Sequence, residues 1–394
     1  MKEIYLDNAA TTPCDPKVLK AMEPYWLEKY GNPSSFNDAG REAKKAVDQA
    51  RKKIVLLLGA KSQEVIFTSS ATEANNLAIF GTANKTGKKN HIITTAIEHH
   101  SVLEPVKELE KRGFIVTYLP ANKEGLIDLN KLEKSLKPET ILISVIYANN
   151  EIGSVQPIKK ISKMMKGLKN RPYFHVDAAQ AQGHLDLNVN NLGVDLMTIS
   201  SHKIHGPKGI AALYVRQGTE LEPMLYGGGQ ERGFRSSTEA VPLIVGFAEA
   251  LEMANDLRPT TQGKQERLRE HFVSGLKKAV PGAIINGPEN PKERVPHILS
   301  ATFKGIESEQ MLLQFDKYGI RASAGSACTS KEIEPSHVLR AIGLSKEETR
   351  STVRFSFSRL TKRPEVNHVL KILPKVINKI HKIYPKEIKK HYYR

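Results

Sequence analysis

Apolar and polar positions alternate in blocks between residues 64 and 216. Short apolar runs, typical of buried strands, are separated by segments in which apolar residues recur at helical spacing. The predicted strands cover residues 65–68, 91–97, 114–119, 141–147, 173–176, 196–200 and 210–215. The predicted helices cover residues 72–80, 102–112, 129–136 and 158–168. This alternation predicts an α/β fold with a mostly parallel sheet covered by helices, in which ligands bind beyond the carboxyl ends of the strands.

The pattern changes after residue 247. A long polar segment, 248–278, predicts a helix that leads into a region of mixed strands and helices. The elements predicted in that region cover residues 298–303, 308–317, 338–342, 353–357 and 366–384. A chain of 394 residues is too long for one ordinary hydrophobic core. We therefore expect a large domain at 13–257 and a smaller α+β domain formed by 1–12 and 258–394.

Composition and charge exclude several classes of protein. With 40% hydrophobic and 26% charged residues, the chain is typical of a globular protein. The formal net charge is +17, but the lysines are spread along the chain and no aromatic RNA-binding signature or zinc finger is present, so we expect no direct nucleic-acid binding. No apolar run reaches the roughly 20 residues of a membrane span. The N-terminus lacks the pattern of a signal peptide, so we expect a cytoplasmic protein.

The two cysteines of the chain, Cys14 and Cys328, lie far apart in the sequence. We expect no disulfide framework, and no Cys/His spacing matches a structural zinc site. A free thiol is more commonly a buried small hydrophobe than a reactive group. However, the run 321–330 surrounds Cys328 with small and hydroxyl residues, which is typical of a loop that exposes its thiol.

Two predicted strand ends carry a carboxylate and a lysine. One strand is followed by Asp177, and another ends at Ser200 and is followed by His202 and Lys203. Taken alone, a strand-end Asp is typically a turn former and most lysines are solvated. Together the two groups match what pyridoxal phosphate requires, namely a lysine for a Schiff base and a carboxylate that keeps the pyridine nitrogen protonated. Such a lysine needs a pKa lowered by burial or by a neighbouring cation.

Other strand ends offer groups for a phosphate and for proton transfer. Hydroxyl residues at 68–72 run into a predicted helix, whose N-terminus would bind phosphate; a simple Ser/Thr cap is the alternative. Ser200 and His202 could donate to the same phosphate. His99 could lie over a planar cofactor and exchange protons, although a strand-end histidine is more commonly solvent-facing. Arg354 lies in a predicted strand, where its fork suits a substrate carboxylate, with a structural ion pair as the alternative.

These residues and four further motifs resemble the cysteine desulfurases of the NifS/IscS type, fold-type-I pyridoxal-phosphate enzymes of the class V aminotransferase family. The motifs are YLDNAATT at 5–12, GNPSS at 31–35, NNEIG at 149–153 and GGGQERG at 227–233. The resemblance extends from residue 5 nearly to the C-terminus. It implies a homodimer that acts on L-cysteine, with a large cofactor-binding domain and a smaller domain carrying the catalytic cysteine loop.

The resemblance also implies a role for individual residues around the cofactor ring. Lys203 would form the Schiff base, and Asp177 would pair with the pyridine nitrogen. Gln180 would hydrogen-bond the ring hydroxyl. His99 would stack on the ring and serve as acid and base.

For the phosphate and the substrate, the resemblance implies a second set of contacts. The residues implied to bind the phosphate are Ala71, Thr72, Ser200 and His202, with Thr238 reaching in from the second subunit. Asn150 would contact cofactor or substrate, and Arg354 would bind the substrate carboxylate.

In the implied reaction, L-cysteine displaces Lys203 from the cofactor and proton transfers weaken the carbon–sulfur bond. The Cys328 thiolate then attacks the substrate sulfur, leaving L-alanine and a Cys328 persulfide. The persulfide would pass to a sulfur-acceptor protein, for iron–sulfur cluster assembly or for thiolation of cofactors or tRNA. No resident metal is expected, although Cys328 could transiently ligate a nascent iron–sulfur cluster. The serine-rich run around Cys328 resembles the branch of the family with the longer catalytic loop.

Some positions depart from the family pattern. Ser70 and Ser201 stand where members commonly have glycine, and we expect them to tune the site slightly because serine allows fewer backbone angles. The segment after 384 is shorter than in members that dock a cluster scaffold protein. Cys14 matches no family role and is expected to be structural.

Two alternatives stay open at the level of sequence. An aminotransferase or a selenocysteine lyase would keep the cofactor and would not require an exposed thiol. A catalytically silent module that binds RNA or protein through its positive charge would bind no cofactor. The activity of a Cys328→Ser variant separates the first alternative from a desulfurase, and the colour of the protein with pyridoxal phosphate separates the second.

Overall fold

The computed structural model of the chain describes residues 3–85, 90–324 and 335–383. The described strands are β1 (Ile4–Tyr5), β2 (Val65–Thr68), β3 (His91–Thr95), β4 (Ile115–Leu119), β5 (Thr140–Ile146), β6 (Tyr173–Asp177), β7 (Leu196–Ser200), β8 (Ala211–Val215), β9 (Ile284–Asn286), β10 (Ile298–Thr302), β11 (Ile320–Arg321), β12 (Ser323–Ala324) and β13 (Thr352–Ser356). The described α-helices are α1 (Pro16–Met22), α2 (Pro24–Leu27), α3 (Asp38–Leu58), α4 (Ala71–Lys85), α5 (His100–Lys111), α6 (Leu129–Ser135), α7 (Ile158–Met165), α8 (Val189–Leu192), α9 (Val241–Asp256), α10 (Arg258–Ala279), α11 (Ser308–Lys317), α12 (His337–Ala341), α13 (Lys346–Arg350) and α14 (Arg363–Ile383).

A seven-stranded sheet in the order β2-β8-β7-β6-β5-β3-β4 forms the larger layer. Its strands pair in parallel except β8, which is antiparallel to both β2 and β7. Every residue of β2, β3, β5, β7 and β8 is buried, as expected of strands covered on both faces. The predicted α/β fold with a mostly parallel sheet is confirmed. Because β8 alone is reversed, the carboxyl ends of β2, β3, β6 and β7 lie at one edge.

A second, antiparallel sheet in the order β12-β13-β10-β9 has its own hydrophobic core. Phe272 of α10 packs edge-on against Phe355 of β13, with ring centroids 5.0 Å apart, and Phe315 of α11 joins them. The start of the chain enters this core through Ile4 and Leu6. The N-terminal segment therefore bridges from the second core to the carboxyl edge of the large sheet.

The single helix predicted at 248–278 is wrong, because the structure has two helices that meet at Leu257. Pro259 lies in the first turn of α10. In a continuous helix its ring would clash with the preceding turn, and its nitrogen has no hydrogen to donate to a backbone carbonyl. Helix α3 was not predicted. Its sequence carries both end signals, since the Asn37 side chain caps the Gly40 N–H and Gly59 follows the last turn with a φ of 64°.

Candidate active site

Four elements bring polar side chains to the carboxyl edge of the large sheet. Strand β7 runs directly into a short helical turn, Ser201–Lys203, and β6 ends at Asp177. Helix α4 begins shortly after β2, and His99 caps the N-terminus of α5 after β3. Parallel strands deliver their ends to the same edge, so four segments distant in sequence meet there.

Lys203 is held by the start of the chain. Its Nζ donates to the carbonyl oxygens of Ala9 at 2.7 Å and of Ala10 at 2.8 Å. Burial and the nearby Arg354 charge lower the pKa of the Lys203 amine to about 8, while the Asp177 charge opposes that shift. A lysine with this pKa supplies far more neutral amine near neutral pH than an ordinary lysine does.

Asp177 is a buried carboxylate with a donor on each oxygen. Its Oδ2 accepts from Asn75 Nδ2 at 2.9 Å, and its Oδ1 accepts from the Ala179 N–H at 3.0 Å. The residue is only 4% exposed, so these donors replace water in stabilising the charge. The arrangement presents a carboxylate at the sheet edge with one donor on each oxygen.

The His99 ring is held by Ser101, the second residue of α5. Its Nδ1 accepts from the Ser101 N–H at 3.1 Å and lies 2.8 Å from Ser101 Oγ. Because the backbone N–H occupies Nδ1, the neutral ring carries its proton on Nε2. Although the residue is exposed in the described chain, partial desolvation lowers the pKa of the imidazole. The Asp177 charge opposes that shift and the Lys203 charge adds to it.

Gln180 and Lys203 donate to the same backbone carbonyl, that of Ala9. The Ala9 oxygen accepts from Gln180 Nε2 at 2.8 Å as well as from Lys203. Gln180 Oε1 lies 3.4 Å from Nε2 of His297, a buried ring stacked on His184 with centroids 3.8 Å apart. The amide nitrogen of Gln180 thereby keeps one N–H for a ligand at the sheet edge.

Arg354 and Asn150 lie side by side. Arg354 is 5% exposed and donates from Nη1 to the Asn150 carbonyl and from Nη2 to Asp7 Oδ1, each at 2.9 Å. Its Nε and the Asn150 Oδ1 are buried without a hydrogen-bond partner among the described residues. The guanidinium therefore has both the structural ion pair considered from the sequence and donors left for a carboxylate.

The groups expected to hold a phosphate also face this edge. Ala71 and Thr72 form the first turn of α4, whose N–H groups have no carbonyl partner within the helix. Ser200 Oγ is buried and has no hydrogen-bond partner in the described ranges, so an anion would satisfy it. Burial, with the charges of Lys203 and Lys208, lowers the pKa of His202 to about 4. Neutral His202 contacts Thr11 Oγ1 through Nδ1 at 3.1 Å, so Nε2 is available to a phosphate.

One predicted residue lies away from this cluster in the described contacts, and another falls outside the described residues. Thr238 is exposed on the segment before α9, and the described contacts do not connect it to the sheet edge. Cys328 lies outside the described residues. The described chain stops at β12 on one side of it and resumes at residue 335 on the other.

Ser70 and Ser201 fit without backbone strain. Within the described part of the chain, the non-glycine residues with positive φ are His205, Glu231 and Arg232. Neither serine is among them, so neither position requires glycine. Ser70 instead caps α4, because its Oγ accepts from the Glu73 N–H at 3.1 Å.

Sequence reasoning missed several residues that shape the site. These are Asp7, Asn75, Ser101 and His297. Asp7 and Asn75 lie within segments that the sequence marked, but their roles depend on side-chain direction. His297 contacts Gln180 from 117 positions away, which no local pattern reveals.

A desolvated lysine, a buried carboxylate and a helix N-terminus with free N–H groups meet at one sheet edge. These are the groups that a pyridoxal-phosphate enzyme requires. The family model for class-V aminotransferases matches residues 4–369. A cysteine desulfurase IscS of Dictyoglomus turgidum is 45% identical over 98% of this chain and 97% of its own length.

Solved structures agree with the sequence relatives. A NifS-like protein superposes with a TM-score of 0.90 at 37% identity, over 96% of this chain and all of its own. SspA in complex with cysteine superposes with a TM-score of 0.79 at 36% identity, over 92% of this chain and all of its own. The chain belongs to the class-V aminotransferase family of pyridoxal-phosphate enzymes, among its cysteine desulfurases. The predicted family, fold class, cofactor and enzyme class are confirmed.

Proposed function

We propose that the protein removes sulfur from L-cysteine, releasing L-alanine and leaving a persulfide on Cys328 for transfer to an acceptor. The observation that carries this proposal is Lys203, whose lowered pKa and anchoring by Ala9 and Ala10 suit it to hold pyridoxal phosphate. Bound there, the cofactor supplies an electron sink that weakens the bonds around the substrate's α-carbon.

Some residues around the cofactor would bind its ring, and others would transfer protons. Asp177 presents its carboxylate to the pyridine nitrogen, and Gln180 offers its remaining N–H to the ring oxygen. Lys203 accepts and returns a proton through its amine. His99 donates from Nε2, the nitrogen that its contact with Ser101 leaves protonated.

The phosphate and the substrate would be held by two different sets of residues. Ala71, Thr72, Ser200 and His202 bind the phosphate through N–H and hydroxyl groups that need an acceptor. Arg354 binds the substrate carboxylate beside Asn150. The ion pair with Asp7 fixes the guanidinium plane before substrate arrives.

The sulfur step uses the thiolate of Cys328. Its sulfur forms a bond to the substrate sulfur, and the carbon–sulfur bond breaks with its electron pair passing to carbon, which takes up a proton. The carbon is reduced to the methyl group of alanine, and the cysteine sulfur is oxidised to a persulfide. Substrate and thiol together contain all the atoms and electrons of alanine and persulfide, so no outside oxidant is needed.

We also propose a homodimer in which Thr238 completes the phosphate site of the second copy. Exposed large apolar residues support an interface: Trp26, Leu27, Tyr30 and Phe36 near the start of the chain, and Met224, Leu225 and Tyr226 beside GGGQERG. The proposed large domain, 13–257, would carry this surface, and the smaller domain would comprise 1–12 and 258–394. Light scattering tests the dimer, and a monomeric Leu27→Glu/Phe36→Glu variant would support this surface.

The acceptor is a protein thiol or a scaffold that takes up sulfane sulfur, for cluster assembly or thiolation. Among the described residues, no helix is both long and apolar enough to cross a membrane. We propose a cytoplasmic location, since the persulfide requires a reducing compartment to be released.

The proposed activity is tested with purified protein, pyridoxal phosphate, L-cysteine and a thiol reductant. We expect the protein to turn yellow and to release alanine and sulfide in equal amounts. Lys203→Ala is expected to abolish both products while the chain stays folded. Conversion of cysteine to a keto acid without sulfide would instead indicate an aminotransferase.

A further inference from the structure

A chain of buried hydrogen bonds links the carboxylate of Asp177 to the imidazole of His99. Asn75 Nδ2 lies 2.9 Å from Asp177 Oδ2 and 2.8 Å from Ser101 Oγ. Ser101 Oγ in turn lies 2.8 Å from His99 Nδ1. Asn75 is fully buried, so neither of its contacts competes with bulk water.

The chemistry of the partners orients the Asn75 amide. An ionised carboxylate only accepts hydrogen bonds, so the group facing Asp177 must be the amide nitrogen. The reversed amide would place two oxygens against each other. The two N–H groups of Asn75 therefore donate to Asp177 and Ser101, one to each.

This orientation determines where the hydroxyl hydrogen of Ser101 points. Ser101 Oγ accepts from Asn75, which leaves its own hydrogen free to donate to His99 Nδ1. Together with the Ser101 N–H, Nδ1 then receives two donors. A proton added at Nδ1 would break both contacts, so the hydrogen-bond chain adds to the Ser101 N–H in keeping the proton of neutral His99 on Nε2.

Packing alone does not account for an asparagine at position 75. Its Oδ1 is buried and has no hydrogen-bond partner within the described ranges. An unsatisfied buried acceptor is destabilising, whereas an apolar side chain of the same size would avoid that penalty. Asn75 also lies one turn into α4, the helix whose first residues, Ala71 and Thr72, face the phosphate position. One helix thus positions both the phosphate-binding turn and the hydrogen-bond chain from Asp177 through Asn75 and Ser101 to His99. We call this chain the bridge.

We propose that Asn75 is a positioning residue that couples Asp177 to His99 through Ser101. It aims the Asp177 carboxylate at the pyridine nitrogen and keeps His99 in the tautomer that donates from Nε2. The inference rests on the proposed function, because both groups act on the cofactor and its substrate. Asn75 itself touches neither of them.

The test compares Asn75→Leu with Ser101→Ala in the holoenzyme. Asn75→Leu removes both arms of the bridge, and Ser101→Ala removes only the His99 arm. We expect Asn75→Leu to lower kcat/KM about 10- to 100-fold, the range for lost hydrogen bonds to charged groups. It should also raise the pH midpoint of the visible absorbance of the bound cofactor. Without the Asn75 donor to Asp177, the pyridine nitrogen keeps its proton less well. The positive charge on that nitrogen then no longer disfavours the protonated linkage to Lys203.

Ser101→Ala is expected to separate the two arms. The pH profile of kcat should shift while the absorbance midpoint stays at the parent value, and Ser101→Thr, which keeps the hydroxyl, should restore the profile. Asn84→Leu, on an exposed turn of the same helix, is the control and should match the parent. The proposal is overturned if Asn75→Leu keeps the parent's absorbance midpoint and kcat/KM. If Asn75→Leu does not fold, the Ser101 pair decides, and equal profiles for Ala and Thr overturn it.

Failure of the proposed function would look different. A parent protein that binds pyridoxal phosphate but releases no alanine from L-cysteine would refute the desulfurase activity. The absorbance midpoint would still report on Asn75 and Asp177 in that case.

Discussion

The amine of Lys203 donates to the backbone carbonyl of Ala9 across 2.7 Å. The same carbonyl accepts from Gln180, so the first residues of the chain align two groups that lie on the large sheet. Those residues also belong to the second core through Leu6. The N-terminal segment is therefore part of the active site, and it connects the two cores there.

The lowered pKa of Lys203 predicts how cofactor capture depends on pH. Below about 8 the amine is protonated and unreactive, and above it the neutral amine attacks an aldehyde. The rate at which cofactor-free protein captures pyridoxal phosphate should therefore rise through about pH 8 and then level off. Stopped-flow absorbance measures this rate. Lys208→Ala, an exposed neighbour, should keep the same midpoint, and a midpoint near that of ordinary lysine would contradict the account.

Arg354 is expected to act both on substrate and on Lys203. Arg354→Ala should lower kcat/KM for L-cysteine about 10- to 100-fold, because a charged hydrogen-bonded contact to the carboxylate is lost. It should also move the capture midpoint of Lys203 upward, because the Arg354 charge helps to lower that pKa.

Arg354→Lys distinguishes these two effects. Lysine keeps the charge but not the planar fork, so the capture midpoint should stay near the parent value while KM rises. Equal midpoints for the alanine and lysine variants would show that the Arg354 charge does not reach Lys203.

The raised pKa of Glu98 predicts that the stability of the fold depends on pH. It is fully buried, accepts from the Ile146 N–H at 2.8 Å, and desolvation raises the pKa of its carboxyl to about 8. The pKa of an unfolded glutamate is about 4.3, so between these two values the folded state binds more protons and stability falls as pH rises. Glu98→Gln should remove that slope. Urea unfolding at about pH 5 and about pH 9 measures it, with exposed Glu104→Gln as the control that keeps the slope.

A buried ion pair holds the GGGQERG segment against the large sheet. Arg51 donates to Glu231 at 2.6 and 2.9 Å, and Glu231 Oε2 also accepts from the Phe67 N–H. Arg51→Ala leaves a buried carboxylate unpaired and should lower the free energy of unfolding by about 3–5 kcal/mol. Breaking the exposed Lys29–Glu42 pair with Glu42→Gln should leave the free energy of unfolding close to the parent value, because solvent screens that pair. Chemical denaturation checks both, and similar losses in the two variants would contradict the burial argument.

Much of the fold could be predicted because the strands of a doubly covered sheet are apolar throughout. Strand β7 and helix α11 have the predicted bounds, and Asp177 and Lys203 could be chosen because they follow such strands. The break at Leu257 was missed, since the polar pattern continues across it and only Pro259 marks it.

The bridging residues could not be predicted in the same way. A helical asparagine such as Asn75 is informative only once the sheet places Asp177 and Ser101 beside it. The contact of His297 with Gln180 depends on how the second core docks on the first. These contacts are set by packing between distant segments rather than by any local period.

The central claim is most directly tested by locating the sulfur after one turnover. The parent protein, Cys328→Ser and Cys14→Ser are each loaded with pyridoxal phosphate, mixed with L-cysteine without reductant, and analysed by peptide mass spectrometry together with alanine release. Since the chain has only these two cysteines, each variant controls for the other. The account predicts one added sulfur atom on Cys328 in the parent and in Cys14→Ser, with one alanine per active site, and neither product in Cys328→Ser. Undiminished alanine and sulfide release by Cys328→Ser would contradict it.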